Sequence, residues 1–412
     1  MACSLVVLAA AAPPATAGPP SITAPSAAVI ETSTGTVVYT KNANAQRSMA
    51  STTKLMTALV ALDEAPLSTV YSAIDYGGSP VETRLGLVPG EKMTLADLVR
   101  AMLLPSANDA AQTVAVRVGG TKAKFVRKMN AKAEELGLKR TGFANSIGLD
   151  APGHQTTALE LAKIGVAAHN NPFIAATVKR KAITLKSGRT IVNRNRVLGT
   201  ALPGGGFVDG MKTGHTASSG YSLVGSATRN GVTVVSVVLG DPTEAARDAD
   251  TVRLLRWASG LFTKRTLVRE QQRVAAVPVI DGKAERVSAV ARKELRQVVP
   301  RGARVELVPT AMSPGLPAPV AAGVAVGTAR VLVNDKEVGT VALETAAAVE
   351  HQGTLASLTD GIAEHWKATL AALVLLVGGT LTLLKARRGA RRTPPTRRHA
   401  MPAEQPERSP AP

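Results

Sequence analysis

The chain of 412 residues predicts an α+β domain over 18–264, a small β-rich domain over 270–350 and one C-terminal transmembrane helix over 368–384. Three observations carry this. Hairpin signals stand at both ends of the first region with helical runs between them, so its sheet is assembled from sequence-distant hairpins. A Val- and Ala-rich stretch punctuated by Gly and Pro follows, a pattern of short strands and turns. Last comes ATLAALVLLVGGTLTLL, seventeen residues without a charge.

In order, residues 1–17 read as the end of a secretory signal peptide. A short apolar run leads to the small-residue site Ala15-Thr16-Ala17, while no basic residue precedes Lys41, so the charged start of such a signal lies upstream. From Ala27 to Thr40 two β-branched runs flank Ser33-Thr34-Gly35 and predict a hairpin. MASTTKLMTALVAL, residues 49–62, predicts a helix. TLADLVRAMLL places Leu95, Leu98, Val99 and Met102 on one helical face with Thr94 as N-cap and Pro105 as terminator. Helices follow over about 121–136, with Phe125 and Met129 one turn apart, and from Thr157, where Glu160 has capping-box spacing. Residues 221–239 form two apolar runs joined through Asn230-Gly231, a strong hairpin signal. Beyond 270 the turns include Asn334-Asp335 between valine-rich runs.

The segment 351–367 reads as a stalk and 385–412 as a basic disordered tail. The span between them is about 25 Å long at about 1.5 Å per residue, at the short limit for a bilayer. Trp366 and Lys367 before it, and Lys385, Arg387, Arg388, Arg391 and Arg392 after it, predict a single pass with the tail inside the cytoplasm and residues 18–367 outside.

Charge narrows the function. Lys and Arg number 49 against 30 Asp and Glu, a net of +19, as expected of a protein working near an anionic polymer or surface. Nucleic acid is excluded as the partner by the absence of a zinc-finger or helix-turn-helix pattern and by an aromatic content of only 3% for stacking bases. Cys3 is the only cysteine, so no intramolecular disulfide forms. No cofactor or metal is expected: the six His show no ligand spacing.

Three short groups carry chemistry. Ser51 and Lys54 sit three apart, on one face of a helix, where the amine reaches the hydroxyl and the positive helix end favours a developing alkoxide. The plainer reading is that Ser51 caps the helix. Ser106 and Asn108 follow the second helix in Pro105-Ser106-Ala107-Asn108, also readable as a helix stop and N-cap. Lys212-Thr213-Gly214-His215-Thr216 leads into the last hairpin, where a lysine is readable as ordinary edge protection. Each of S-x-x-K, S-x-N and K-T-G occurs once, in that order.

With these motifs the sequence resembles the penicillin-recognising serine enzymes, and within them the low-molecular-mass penicillin-binding proteins that act as serine-type D-alanyl-D-alanine carboxypeptidases, peptidase family S11. The resemblance extends to TGTVVYTKNANAQRSMASTTKLMTALVAL, AMLLPSANDAA and DGMKTGHTASSGYSLVGSAT, covering residues 27 to about 263, and 270–350 looks like the family's β-rich C-terminal domain. It implies a transpeptidase/β-lactamase-like domain, an antiparallel sheet with helices on both sides. It further implies that Ser51 is the acylated nucleophile and Lys54 its general base. Ser106 and Asn108 would relay protons and hold the substrate amide, Lys212, Thr213, Gly214 and Thr216 would line the strand along which substrate lies, and the backbone N–H groups of Ser51 and His215 would form the oxyanion hole. The partners implied are peptidoglycan stem peptides ending in D-Ala-D-Ala, β-lactams and the cytoplasmic membrane.

The rivals are a β-lactamase, a DD-endopeptidase and a membrane-anchored wall-binding protein on an inactive hydrolase fold. The E-x-x-L-N pattern of class A lactamases is absent: Glu134, Glu135 and Glu160, the only glutamates between Ser106 and Lys212, have no Asn four residues on. An inactive fold is at odds with a full motif set. Sequence does not separate carboxypeptidase from endopeptidase, and it does not choose the arginine for the substrate carboxylate, Arg247 being one possibility. The His215 side chain, His154 and Glu160 read as loop and cap residues.

Overall fold

The computed structural model describes residues 18–79 and 81–353, with Leu373 and Leu376 beyond them. In chain order, β1 (Ser26–Glu31) and β2 (Val37–Lys41) form the first hairpin and α1 (Lys54–Glu64) follows. A small ladder of β3 (Val70–Ser72) and β4 (Lys92–Thr94) leads into α2 (Leu95–Leu103), α3 (Asn108–Gly119), α4 (Lys122–Glu135), α5 (Ala158–Asn170) and α6 (Pro172–Val178). After a second ladder, β5 (Ala182–Thr184) with β6 (Thr190–Val192), come β7 (Phe207–Thr216), β8 (Gly220–Arg229), β9 (Val232–Asp241) and α7 (Glu244–Ser259).

The two predicted hairpins meet in one five-stranded sheet of order β2-β1-β9-β8-β7. β1 lies antiparallel to β9 from Ser26↔Leu239 to Glu31↔Val234. Alternation along these strands sends side chains to two cores, as the period of two requires. Ala28, Ile30, Val235, Val237 and Leu239 pack with Leu55, Leu98, Val114 and Leu161 from the helices inserted between the hairpins. Ala27, Val29, Val234 and Val238 pack on the other face against Leu254, Leu255 and Ala258 of α7. The sheet therefore has helices on both sides.

Local chemistry explains the turns. In the first hairpin the buried Glu31 carboxylate accepts from Ser33 N and Oγ and from Thr34 N and Oγ1 at 2.6–3.0 Å, and Gly35 takes φ +68°. Asn230 and Gly231 adopt φ +50° and +75°, the left-handed pair that a two-residue hairpin demands. Thr94, Thr121 and Thr157 cap their helices by accepting from Asp97 N, Lys124 N and Glu160 N. The capping box expected at Thr157 is only half made. The Glu160 carboxylate turns instead to Lys139 N, Arg140 N and Thr141 Oγ1, because an unpaired loop there offers more donors than one cap residue does.

By contact the described residues divide into two compact units: 18–274 with 290–311 and 327–343, and 275–289 with 312–326 and 344–353. The first holds the five-stranded sheet and its helices. It also holds β10 (Phe262–Val268), and most of the later strands after β11 (Arg273–Ile280) and β12 (Arg286–Ala291), namely β13 (Leu295–Pro300), β14 (Val305–Thr310) and, past β15 (Leu316–Pro317), β16 (Ala325–Val333) and β17 (Lys336–Thr345). Within it β10 pairs antiparallel with β13, and β14 with β16. Asn334 and Asp335 form the predicted turn between β16 and β17, both at positive φ. In the second unit β11 runs parallel to β15.

The segments expected to be a signal remnant (1–17), a span (368–384) and a tail (385–412), and the expected stalk (351–367) beyond residue 353, lie outside the described residues, except for Leu373 and Leu376, which are helical and exposed. Among the described residues no helix is long and apolar enough to cross a membrane.

Candidate active site

The turn that carries Ser51 is not the first turn of the α-helix, as the sequence predicts, but a 3₁₀ turn, Ala50–Thr53, that runs into α1 at Lys54. Neither turn nor helix has a side-chain cap, so capping does not account for Ser51. Ala50, just before the serine, holds φ +45°, a conformation that costs a non-glycine residue energy and is kept only where surroundings enforce it. α1 is buried from Lys54 through Ala61, so its start is fixed in the core rather than at the surface.

Lys54 Nζ donates to Ser51 Oγ at 2.9 Å and to the Ile147 carbonyl at 2.5 Å. Its side chain is fully buried, and that burial brings its pKa down to about 7 although the Glu82 carboxylate pulls the other way. Gly148 makes the approach of the Ile147 carbonyl possible: at φ +94° a Cβ there would stand 2.0 Å from the Ala50 oxygen.

Strand β7 closes the other side. A Cβ on Gly214 would come within 3.1–3.2 Å of Met49 O, Ala50 Cβ and Thr52 Cγ2, so a glycine lets the strand lie flush against the serine turn. β7 is the outermost strand of the sheet, yet Lys212 is 1% exposed and its Nζ donates to the Thr213 carbonyl at 2.9 Å. Edge protection is thus excluded for it. Burial first, then the charges of Lys54, Arg194 and Arg247, push its pKa well below the ordinary lysine value. Asp150 ties these parts together, accepting from Ser48 before the serine turn and from Ser218 in the β7–β8 turn.

Ser106 follows α2 at φ +69° and is nearly buried. Asn108 opens α3, whose N-cap, Ala107, offers no side-chain bond, so the capping reading fails here too. Asn108 Nδ2 donates to Glu82 at 2.6 Å, and Tyr76 donates its hydroxyl proton to the same carboxylate.

One cleft of about 800 Å³ collects Ser51, Ser106, Asn108, Thr213, Gly214, His215 and Thr216. Lys54 and Lys212 lie behind its wall. Three arginines, Arg194, Arg196 and Arg247, face it as well. Arg247 is already paired with Glu244 and Asp248, and Arg196 with Glu244, whereas among the described residues the Arg194 guanidinium holds only the neutral Thr83 hydroxyl. The His215 ring, without a visible partner in sequence, stacks on Tyr221 with centroids 4.0 Å apart. Sequence reasoning missed Glu82, Arg194 and the Ile147 carbonyl. Glu82 precedes all but the first motif and belongs to no pattern, and a backbone carbonyl has no signature.

A serine hydroxyl on a buried, easily deprotonated lysine, set beside an open strand edge, defines a serine acyl-transfer hydrolase. Among the described residues no cluster of His, Cys, Asp and Glu could hold a metal ion. The family model for D-alanyl-D-alanine carboxypeptidase matches residues 13–243, and that for the C-terminal domain of penicillin-binding protein 5 matches 262–351. The chain is 33% identical over 339 residues to the D-alanyl-D-alanine carboxypeptidase DacF of Bacillus subtilis, covering 76% of this chain and 82% of that one. It is 33% identical over 355 residues to DacC of Escherichia coli, covering 83% and 88%. Penicillin-binding protein 5 from Haemophilus influenzae superposes with a TM-score of 0.61 at 28% identity, covering 81% of this chain and all of that one. The chain belongs to the D-alanyl-D-alanine carboxypeptidase family, and its enzyme class is the serine-type carboxypeptidase.

Proposed function

We propose that Ser51 Oγ attacks the carbonyl between two terminal D-alanines while neutral Lys54 takes its proton. The C–N bond breaks, D-alanine leaves with a proton relayed through Ser106, and water then hydrolyses the Ser51 ester. Backbone N–H groups of Ser51 and His215 face the developing oxyanion, a contribution of about 10²- to 10³-fold per donor. Asn108 and the edge of β7 at Thr213, Gly214 and Thr216 hold the peptide, Lys212 adds positive charge, and Arg194 is the cleft arginine left for the terminal carboxylate. A penicillin acylates the same serine. The observation that carries this reading is the 2.9 Å contact between Lys54 Nζ and Ser51 Oγ at the wall of an open cleft.

The full-length protein is expected to release D-alanine from a peptide ending in D-Ala-D-Ala, with penicillin blocking the release. Penicillin binding without release would favour cleavage of cross-links; the absence of both binding and release would overturn the reading.

We also propose the following layout. Residues 1–17 end an export signal, 18–264 form the catalytic domain, 270–350 the β-rich domain and 351–367 a stalk. A span at 368–384 leaves the tail 385–412 in the cytoplasm. The charge-free run and its Trp, Lys and Arg flanks support this. Membranes washed in alkaline carbonate should keep the protein; its appearance in the wash would refute the span.

A further inference from the structure

His154 does not line the cleft, yet both its ring nitrogens are committed, one to the Ala144 backbone and the other to the Thr53 hydroxyl two residues from Ser51. Ala144 N–H donates to Nδ1 at 3.0 Å, so Nδ1 carries no proton. The ring is therefore neutral, with its proton on Nε2, which donates to Thr53 Oγ1 at 2.8 Å. That hydroxyl donates onward to the Ala50 carbonyl, also at 2.8 Å. The chain of bonds ends on the peptide group that joins Ala50 to Ser51, at the residue held at positive φ. The ring itself is 3% exposed and meets Phe143 edge to face at 6.0 Å. Burial brings its pKa down to about 4; Asp150 opposes this and Lys54 adds to it, so the neutral tautomer persists through the range in which Lys54 titrates.

We propose that His154 is a positioning residue: through Thr53 it holds the Ala50 carbonyl, and so the strained turn that aims Ser51 Oγ at Lys54. The proposal rests on Ser51 being the nucleophile. The physical reason is directional. A left-handed Ala50 relaxes unless its carbonyl is held, and a shift of about 1 Å in a reacting atom costs about 10²-fold in rate. The Thr53 hydroxyl cannot do this alone, since its proton is free to rotate elsewhere until a fixed donor occupies its lone pair.

The test is the second-order rate of acylation by a fluorescent penicillin on the full-length protein, with thermal melting alongside. Thr53→Val and His154→Leu should each slow acylation about 10- to 100-fold, and the double variant should be no slower than the slower single one, because both break one chain. His154→Gln should recover most of the rate: its amide oxygen accepts from Ala144 and its amide nitrogen donates to Thr53. A ring that merely fills space predicts the reverse, with Leu tolerated at least as well as Gln. Equal rates for the Gln and Leu variants, or multiplicative losses in the double variant, would overturn the proposal. If His154→Leu does not fold, Thr53→Val decides alone, and its acylation at the wild-type rate would be fatal to the idea. A failure of the nucleophile assignment is separable, since it would leave Ser51→Ala labelled.

Discussion

Ser51→Ala is expected to abolish both D-alanine release and covalent penicillin labelling, by at least about 10⁴-fold, while the fold stays intact. The magnitude follows from losing the nucleophile itself: in serine hydrolases its removal costs nearly all of the chemical step. The fold should survive because the Ser51 hydroxyl bonds Lys54 and caps no helix among the described residues. Peptide binding should persist, because the groups proposed to hold the peptide, Arg194, Asn108 and the edge of β7, are untouched. The reading falls if the variant is still labelled at full rate, as measured by mass spectrometry of the intact protein after exposure to penicillin.

Lys54→Ala is expected to slow acylation by at least about 10²-fold, the usual worth of a general base. Its pH dependence distinguishes a base from a structural amine. With a pKa near 7, lowered chiefly by burial, Lys54 is protonated in acid and neutral in mild base. Only the neutral amine can accept the Ser51 proton, so the wild-type rate should rise with pH through about 7 and level off above it. In Lys54→Ala that limb should vanish. A rate–pH profile that keeps the limb in the variant would move the base to another group, and Lys212 is the first to examine, being fully enclosed and likewise shifted down.

Much of the fold was legible from local signals that are properties of a few adjacent residues. Asn230-Gly231 and Asn334-Asp335 mark turns because left-handed backbone is cheap for those residues, and Thr94 and Thr157 cap because a hydroxyl at that position satisfies an orphan N–H. The pairing of β1 with β9 was inferable only in outline, since the hydrophobic pattern says that two hairpins share a sheet without giving their register. Ser51 was placed in a helix when it stands in a 3₁₀ turn, because the apolar spacing of 49–62 is the same for both and only the packing of Gly148 and Gly214 against that turn separates them.

The site divides in the same way. The sequence by itself determined which residues are present and in what order: Ser51 with Lys54, Ser106 with Asn108, Lys212 with Thr213 and Gly214, and hence the family. It also determined that Ser51 and Lys54 are neighbours, since their contact is local. The tertiary structure decided what those groups can do. A lysine becomes a base only when burial strips its water, an effect set by every element packed around α1. Glu82, Arg194, and the Ile147 carbonyl with His154 in one loop come from three separate stretches of chain and form no spacing that a sequence could display. Their roles depend on distance in space, and distance between remote residues exists only once the core has closed.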